Sequence, residues 1–231
     1  MNLPFIINFK NYEEVSSDNA IELAKVAERV AADLKVEIIL APPQPSLAMV
    51  AKSVTIPVIC QHVDNEKVGS TTGFFVPEIA KSFGAVGSII NHSEHRIDMN
   101  SIARLVERMK KLDMTSIVCA RDPREVMEIS AFAPDFIAIE PPELIGSGRA
   151  VSKENPEIIT NSVRAIAAAT TAGGSSSSSS WVICGAGITD KEDVSKAMDL
   201  GSHGILVASG IIKATSWDEK ISELASGMKK E

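Results

Sequence analysis

The chain has 231 residues, 45% of them hydrophobic and 23% charged, which is enough apolar material for a large core and too much for a disordered polymer. Lys and Arg number 23 against 30 Asp and Glu, a formal charge of −7 with no basic cluster, so a nucleic-acid groove or an anionic membrane surface is excluded as the main partner and a small anionic ligand is not. No apolar run approaches the roughly 20 residues of a membrane span. The opening residues also lack the basic head and cleavage site of a secretory leader, so the protein is expected to be cytoplasmic.

Short Val- and Ile-rich runs follow one another along the chain: Pro4 to Phe9, Glu37 to Ala41, Val58 to Gln61, Val86 to Asn91, Thr115 to Ala120, Phe136 to Glu140, Trp181 to Cys184 and Gly204 to Ala208. They are nearly continuous rather than alternating, as strands covered on both faces require, so a parallel sheet is predicted. Between them lie helical patterns, clearest at Ile102, Leu105, Val106, Met109 and Leu112 and at Ile221, Leu224, Ala225 and Met228. Helix starts are marked by Thr189-x-x-Glu192 and Ser216-x-x-Glu219 as capping boxes, and by Asp122-Pro123 and Asn155-Pro156. Eight such units at about 29 residues each predict one α/β domain over residues 1–231, a (β/α)8 barrel with an eight-stranded parallel core; an open doubly wound sheet is the alternative. Residues 173–180, Gly-Gly and six serines, read as a flexible linker at the barrel end away from the chemistry. Cys60, Cys119 and Cys184 are odd in number and each lies in or borders an apolar run, which reads as reduced core thiols.

In such a barrel the working groups sit at the C-terminal strand ends. Glu140 closes an apolar run ahead of Pro141 and Pro142, where burial raises a carboxylate toward a useful base; the alternative is a capping or ion-paired Glu. His92 directly follows the fourth run, within Asn91-His92-Ser93-Glu94, where an imidazole can polarise an oxygen or serve as a structural hydrogen-bonding group. Lys10 and Asn8 end the first run on one side, as a cation and amide for an anionic substrate or as solvated loop residues. Small-residue loops follow the last two runs, Gly185-Ala186-Gly187 and Ala208-Ser209-Gly210. They allow main-chain N–H groups to approach a phosphate. Residues 141–148 have prolines at one end and glycines at the other, the composition of a hinged flap or of an ordinary loop. His62 reads as structural, His95 and His203 as surface or loop residues, and no histidine pair has metal-ligand spacing, so no metal is expected.

Asn8-Phe9-Lys10, Asn91-His92-Ser93-Glu94, Ile139-Glu140-Pro141 with Ile145-Gly146-Ser147-Gly148, Cys184-Gly185-Ala186-Gly187-Ile188 and Leu206-Val207-Ala208-Ser209-Gly210 together resemble the triosephosphate isomerase family, in its short archaeal branch. That family is itself a standard illustration of a tuned base and of a closing loop. The resemblance implies cofactor-free interconversion of dihydroxyacetone phosphate and D-glyceraldehyde 3-phosphate, in glycolysis and gluconeogenesis. It implies Glu140 as base, His92 as donor to the enediolate, Lys10 and Asn8 at the substrate oxygens, and Glu94 orienting Lys10. Substrate and phosphate contacts fall to Asn8, Phe9, Lys10, Ile145, Gly146, Gly187, Ala208 and Ser209. It also implies a homotetramer or homodimer with loop 69–75 at the interface, where Thr72 would reach the neighbour. Phe74, where many members have Glu, and His95, in place of a common arginine, depart from the pattern. Another sugar-phosphate enzyme of this barrel, or a non-catalytic scaffold, is the competing reading.

Overall fold

A computed structural model describes residues 3–144, 148–172 and 180–228. Seven strands form among them: β1 (Pro4–Asn8), β2 (Glu37–Ala41), β3 (Gly87–Ile90), β4 (Thr115–Ala120), β5 (Phe136–Ile139), β6 (Trp181–Cys184) and β7 (Ile205–Val207). All pairings are parallel, in the order β2-β1-β7-β6-β5-β4-β3. The predicted third strand is the exception. Residues 57–60 make single bridges instead, Leu40 to Val58 on one side and Cys60 to Ser88 on the other. Leu40 N–H donates to Pro57 O at 2.9 Å and Ile59 N–H to Leu40 O at 2.8 Å, while Cys60 N–H reaches Gly87 O and Ile89 N–H reaches Cys60 O, each at 2.9 Å. Pro57 offers no N–H to lengthen the ladder and a bend follows at Gln61, so the segment stitches β2 to β3 without becoming a strand. The ring of the (β/α) barrel closes through it.

The sheet has two packed faces. Ile6, Ile39, Ile59, Ile89, Ile117, Ala138, Ile183 and Leu206 form one cluster inside the ring, and a larger cluster lies between strands and helices. Side chains alternate along each strand, so residues two beyond these interior positions point the same way. Asn8, Cys119, Glu140, Gly185 and Ala208 thus continue the interior stripes toward the C-terminal mouth. Four of the predicted strands end one residue earlier than expected, before Phe9, Asn91, Glu140 and Ala208, although the Phe9 and Glu140 N–H groups still reach Ala41 O at 3.0 Å and Ala120 O at 2.7 Å.

Helix α1 (Asn19–Leu34) buries Leu23, Ala27 and Val30 and ends at Lys35, whose φ of 57° is left-handed. The next helices are α2 (Leu47–Ser53), α3 (Pro77–Ser82) and α4 (Met99–Lys111), of which α4 buries Ile102, Leu105, Val106 and Met109 as the periodicity predicts. Asp122 caps α5 (Pro123–Ser130), and α6 (Val151–Glu154) and α7 (Pro156–Ala172) follow. The box before α8 (Lys191–Asp199) falls one residue later than predicted, on Asp190 and Asp193, because the Asp193 carboxylate turns inward while Glu192 stays exposed. A four-residue α9 (Ser209–Ile212) precedes α10 (Trp217–Gly227), capped by Ser216. The serine tract falls between α7 and β6. Residues 173–179 lie outside the described residues, and Ser180 is buried.

Ile117 is fully buried inside the ring, whereas Met127 on α5 is 52% exposed. Ile117→Ala should therefore lower the unfolding free energy by about 2–5 kcal/mol, and Met127→Ala should leave it nearly unchanged. Urea denaturation of both variants checks the assignment of the interior face.

Candidate active site

The mouth is built on backbone turns that leave the strand conformation abruptly. Lys10 has a φ of 48° and Asn91 a φ of 62°, left-handed values that side-chain-bearing residues adopt at a cost. Both turns are fixed by amides. Asn8 Oδ1 accepts the Lys10 N–H at 2.9 Å, and Gln61 Nε2 donates to Lys10 O at 2.8 Å and to Ala41 O at 3.1 Å. Asn91 Oδ1 accepts the Ile97 N–H at 3.1 Å while its Nδ2 donates to Cys119 O at 3.0 Å. The first turn sends Lys10 Nζ to Glu94 Oε1 at 2.7 Å. An exposed carboxylate thus holds a largely buried ammonium over the barrel.

His92 follows Asn91 and is buried. Its Nδ1 accepts the Glu94 N–H at 3.2 Å, so the neutral ring carries its proton on Nε2. That nitrogen lies 3.6 Å from Glu140 Oε1. A donor on one strand end therefore faces a carboxylate on another.

Glu140 is 2% exposed, and its Oε2 has no hydrogen-bond partner among the described residues. Burial pushes its carboxyl above the ordinary range, opposed by His92, by the Cys119 thiol and by Lys10. The same burial, with the carboxylate beside it, drives the Cys119 thiol far up, so it stays protonated next to Glu140. Gly185 makes room for the base: a Cβ there would come within 2.6 Å of Glu140 Cγ.

Gly187 has a φ of 72°, and a Cβ on it would collide with the carbonyl oxygen of Arg149. Any side chain would push the 149–150 backbone off the loop. The N–H groups of Gly187, Ser209 and Gly210 donate to no other group among the described residues. They border a narrow cavity of about 40 Å³ that Lys10, His92 and Glu140 also line. Ile145 and Gly146 lie outside the described residues.

Lys10 and His92 also face an adjoining groove of about 820 Å³ bounded by Tyr12, Gln44, Gln61 and residues 73–75. There the His62 and His95 rings stack, centroids 3.9 Å apart. Burial and its neighbour His95 hold the His62 imidazole below its usual value. Asp64 ties the 69–75 loop down, taking the Phe75 N–H on Oδ2 at 2.7 Å. Thr72 and Phe74 stand exposed on that loop.

The structure thus brings together Asn8, Lys10, His92, Glu94, Glu140, Gly187, Ala208 and Ser209, while Phe9 is buried in the outer core cluster, away from the cavity lining. It adds Gln61 and Cys119, and gives Asn91 and Gly185, already placed in a strand-end motif and a phosphate loop, the roles of fixing a turn and making room for the base. Cys119 and Gly185 had a usable signal, since they keep interior parity at strand ends; Gln61 had none, because its contacts cross between segments. Among the described residues no group of His, Cys, Asp or Glu side chains could hold a metal ion.

A closed parallel barrel with a buried carboxylate, an imidazole donor and an ammonium at its C-terminal mouth defines a barrel enzyme equipped for proton transfer. The triosephosphate isomerase family profile matches residues 4–224. The chain is 48% identical to a triosephosphate isomerase of Cenarchaeum symbiosum over 96% of each chain. It is 46% identical to one of Caldivirga maquilingensis over 95% of each, and 43% identical to one of Methanothermus fervidus over 99% of this chain and all of that one. The chain belongs to the triosephosphate isomerase family and is an isomerase.

A carboxyl whose folded pKa is raised contributes stability below its ordinary value of 4.5 and loses it as pH rises through the folded value. Ionised Glu140 therefore destabilises the fold at neutral pH. Glu140→Gln should raise the melting temperature at pH 7.5, with the gain vanishing near pH 4; calorimetry at the two pH values checks the sign.

Proposed function

We propose that the chain interconverts dihydroxyacetone phosphate and D-glyceraldehyde 3-phosphate through an enediolate. The carboxylate of Glu140, desolvated and therefore basic, takes the proton from the carbon next to the carbonyl and returns it to the adjacent carbon. His92, neutral and protonated on Nε2, donates to the oxygen on which negative charge develops. Lys10, held by Glu94, supplies a fixed positive charge there, and Asn8 both shapes the Lys10 turn and offers an amide to the substrate. Main-chain N–H groups at Ile145, Gly146, Gly187, Ala208 and Ser209 take the phosphate, which suits a protein of net negative charge. No cofactor or metal enters this scheme. The observation that carries it is the 3.6 Å approach of His92 Nε2 to the buried Glu140 Oε1, base and electrophile set on facing strand ends.

Further parts of the reading concern the molecule as a whole. It acts in glycolysis and gluconeogenesis in the cytoplasm, as a single barrel domain; no helix among the described residues is long and apolar enough to cross a membrane. The exposed loop 69–75 docks on a second copy, in a homotetramer or homodimer. Phe74, 52% exposed, is the apolar contact that such docking would cover.

A coupled assay on D-glyceraldehyde 3-phosphate tests the activity directly. Glu140→Gln should lower kcat by more than the roughly 10²- to 10⁴-fold worth of a general base, with substrate analogues still binding. Lys10→Met should lower turnover and weaken substrate binding together; an unchanged Michaelis constant would remove Lys10 from the substrate contacts. Sedimentation at micromolar concentration should give an assembly, and Phe74→Asp should dissociate it.

A further inference from the structure

Asp193 lies in the first turn of α8, is 1% exposed, and has no part in the scheme above. Its Oδ2 accepts the N–H and the hydroxyl of Thr189, both at 2.9 Å, and the N–H of Asp190 at 3.3 Å. Its Oδ1 pairs with Lys153 Nζ at 2.6 Å, and its main-chain carbonyl accepts the Ser152 hydroxyl at 3.1 Å. One residue therefore grips two segments. The first is the turn that carries Gly187 and Ile188; the second is α6, which follows Gly148 and Arg149. Lys153 Nζ also reaches Asp190 Oδ2 at 3.0 Å, and the main chain of Arg149 and Ala150 fills the space above Gly187. Gly148, just ahead of α6, and Gly187 to Thr189 line the same cavity.

Helix capping accounts for part of this arrangement. Asp190 and Asp193 form a reciprocal box, with the Asp193 N–H on Asp190 Oδ1 at 2.7 Å. A cap needs neither a lysine from another helix nor a buried carboxylate shared between two loops. A desolvated carboxylate with a cationic partner and several donors is held in one geometry, because shifting any donor leaves charge unpaired.

We infer that Asp193 is a positioning residue for anion binding, fixing the Gly187–Thr189 turn against α6 so that the free Gly187 N–H keeps its spacing from those of Ser209 and Gly210, as a phosphate requires. The idea rests on the phosphate assignment above. Main-chain donors cannot adjust as side chains do, so their spacing is set by whatever holds the loop.

Asp193→Asn preserves volume and removes the charge. The Michaelis constant for D-glyceraldehyde 3-phosphate and the inhibition constant of inorganic phosphate should both rise about tenfold, the scale of one hydrogen bond to a charged group, with kcat far less affected. Lys153→Met leaves the capping box and the Thr189 contacts in place and should raise both constants in the same direction by a smaller factor; it decides the question alone where Asp193→Asn does not fold. Unchanged constants with a lowered melting temperature would make Asp193 a helix cap and nothing more. If inorganic phosphate fails to compete in the unaltered protein, the phosphate assignment falls and this role with it; if it competes there and equally in both variants, only the role of Asp193 is overturned.

Discussion

Keeping a carboxylate charged at the mouth of an apolar barrel is the constraint around which the site is arranged. Glu140 is almost fully buried, one of its oxygens is without a partner among the described residues, and its ionised form is disfavoured by desolvation. A fully paired carboxylate would be more stable and a weaker base. The neighbours strike a balance, with His92, Lys10 and the Cys119 thiol easing the charge without saturating it. Gly185 lets the strand pass close enough to shield it. Stability is given up locally, and the barrel core supplies it elsewhere.

That arrangement depends on precise direction at the strand ends, and the left-handed turns at Lys10 and Asn91 provide it. Each is over-determined by hydrogen bonds from other segments: Gln61 for the first, Ile97 and Cys119 for the second. Neither turn would hold its conformation in isolation. The closing segment at residues 57–60 therefore does two jobs, completing the ring and delivering Gln61 to the Lys10 turn. The anion-binding side follows the same logic, since Gly187 and the 149–150 backbone occupy one another's space and Asp193 ties the two together.

Much of the fold was legible because parallel strands buried on both faces leave nearly continuous Val and Ile runs, and seven of those runs became strands. The eighth shows the limit of that signal. Residues 57–60 have the apolar character of a strand, but Pro57 and the bend at Gln61 restrict them to single bridges on each side. The capping box before α8 slipped by one residue for a related reason: Asp190 and Thr189 have equal local claim to the cap, and burial of the Asp193 carboxylate decides between them.

Sequence alone determined the barrel class and the order of the units, and it put Asn8, Lys10, His92 and Glu140 at strand ends, because those ends are marked by where apolar runs stop and polar residues begin; the role of Glu94 came from the family resemblance. Only the tertiary structure decided that the His92 proton sits on Nε2 facing Glu140, that the buried Cys119 thiol lies beside the base, and that Asp193 joins α6 to the turn after Gly187. These depend on distances between strands and helices far apart in the chain. Local pattern records which way a residue points along its own element, and carries no information on what another element places in front of it.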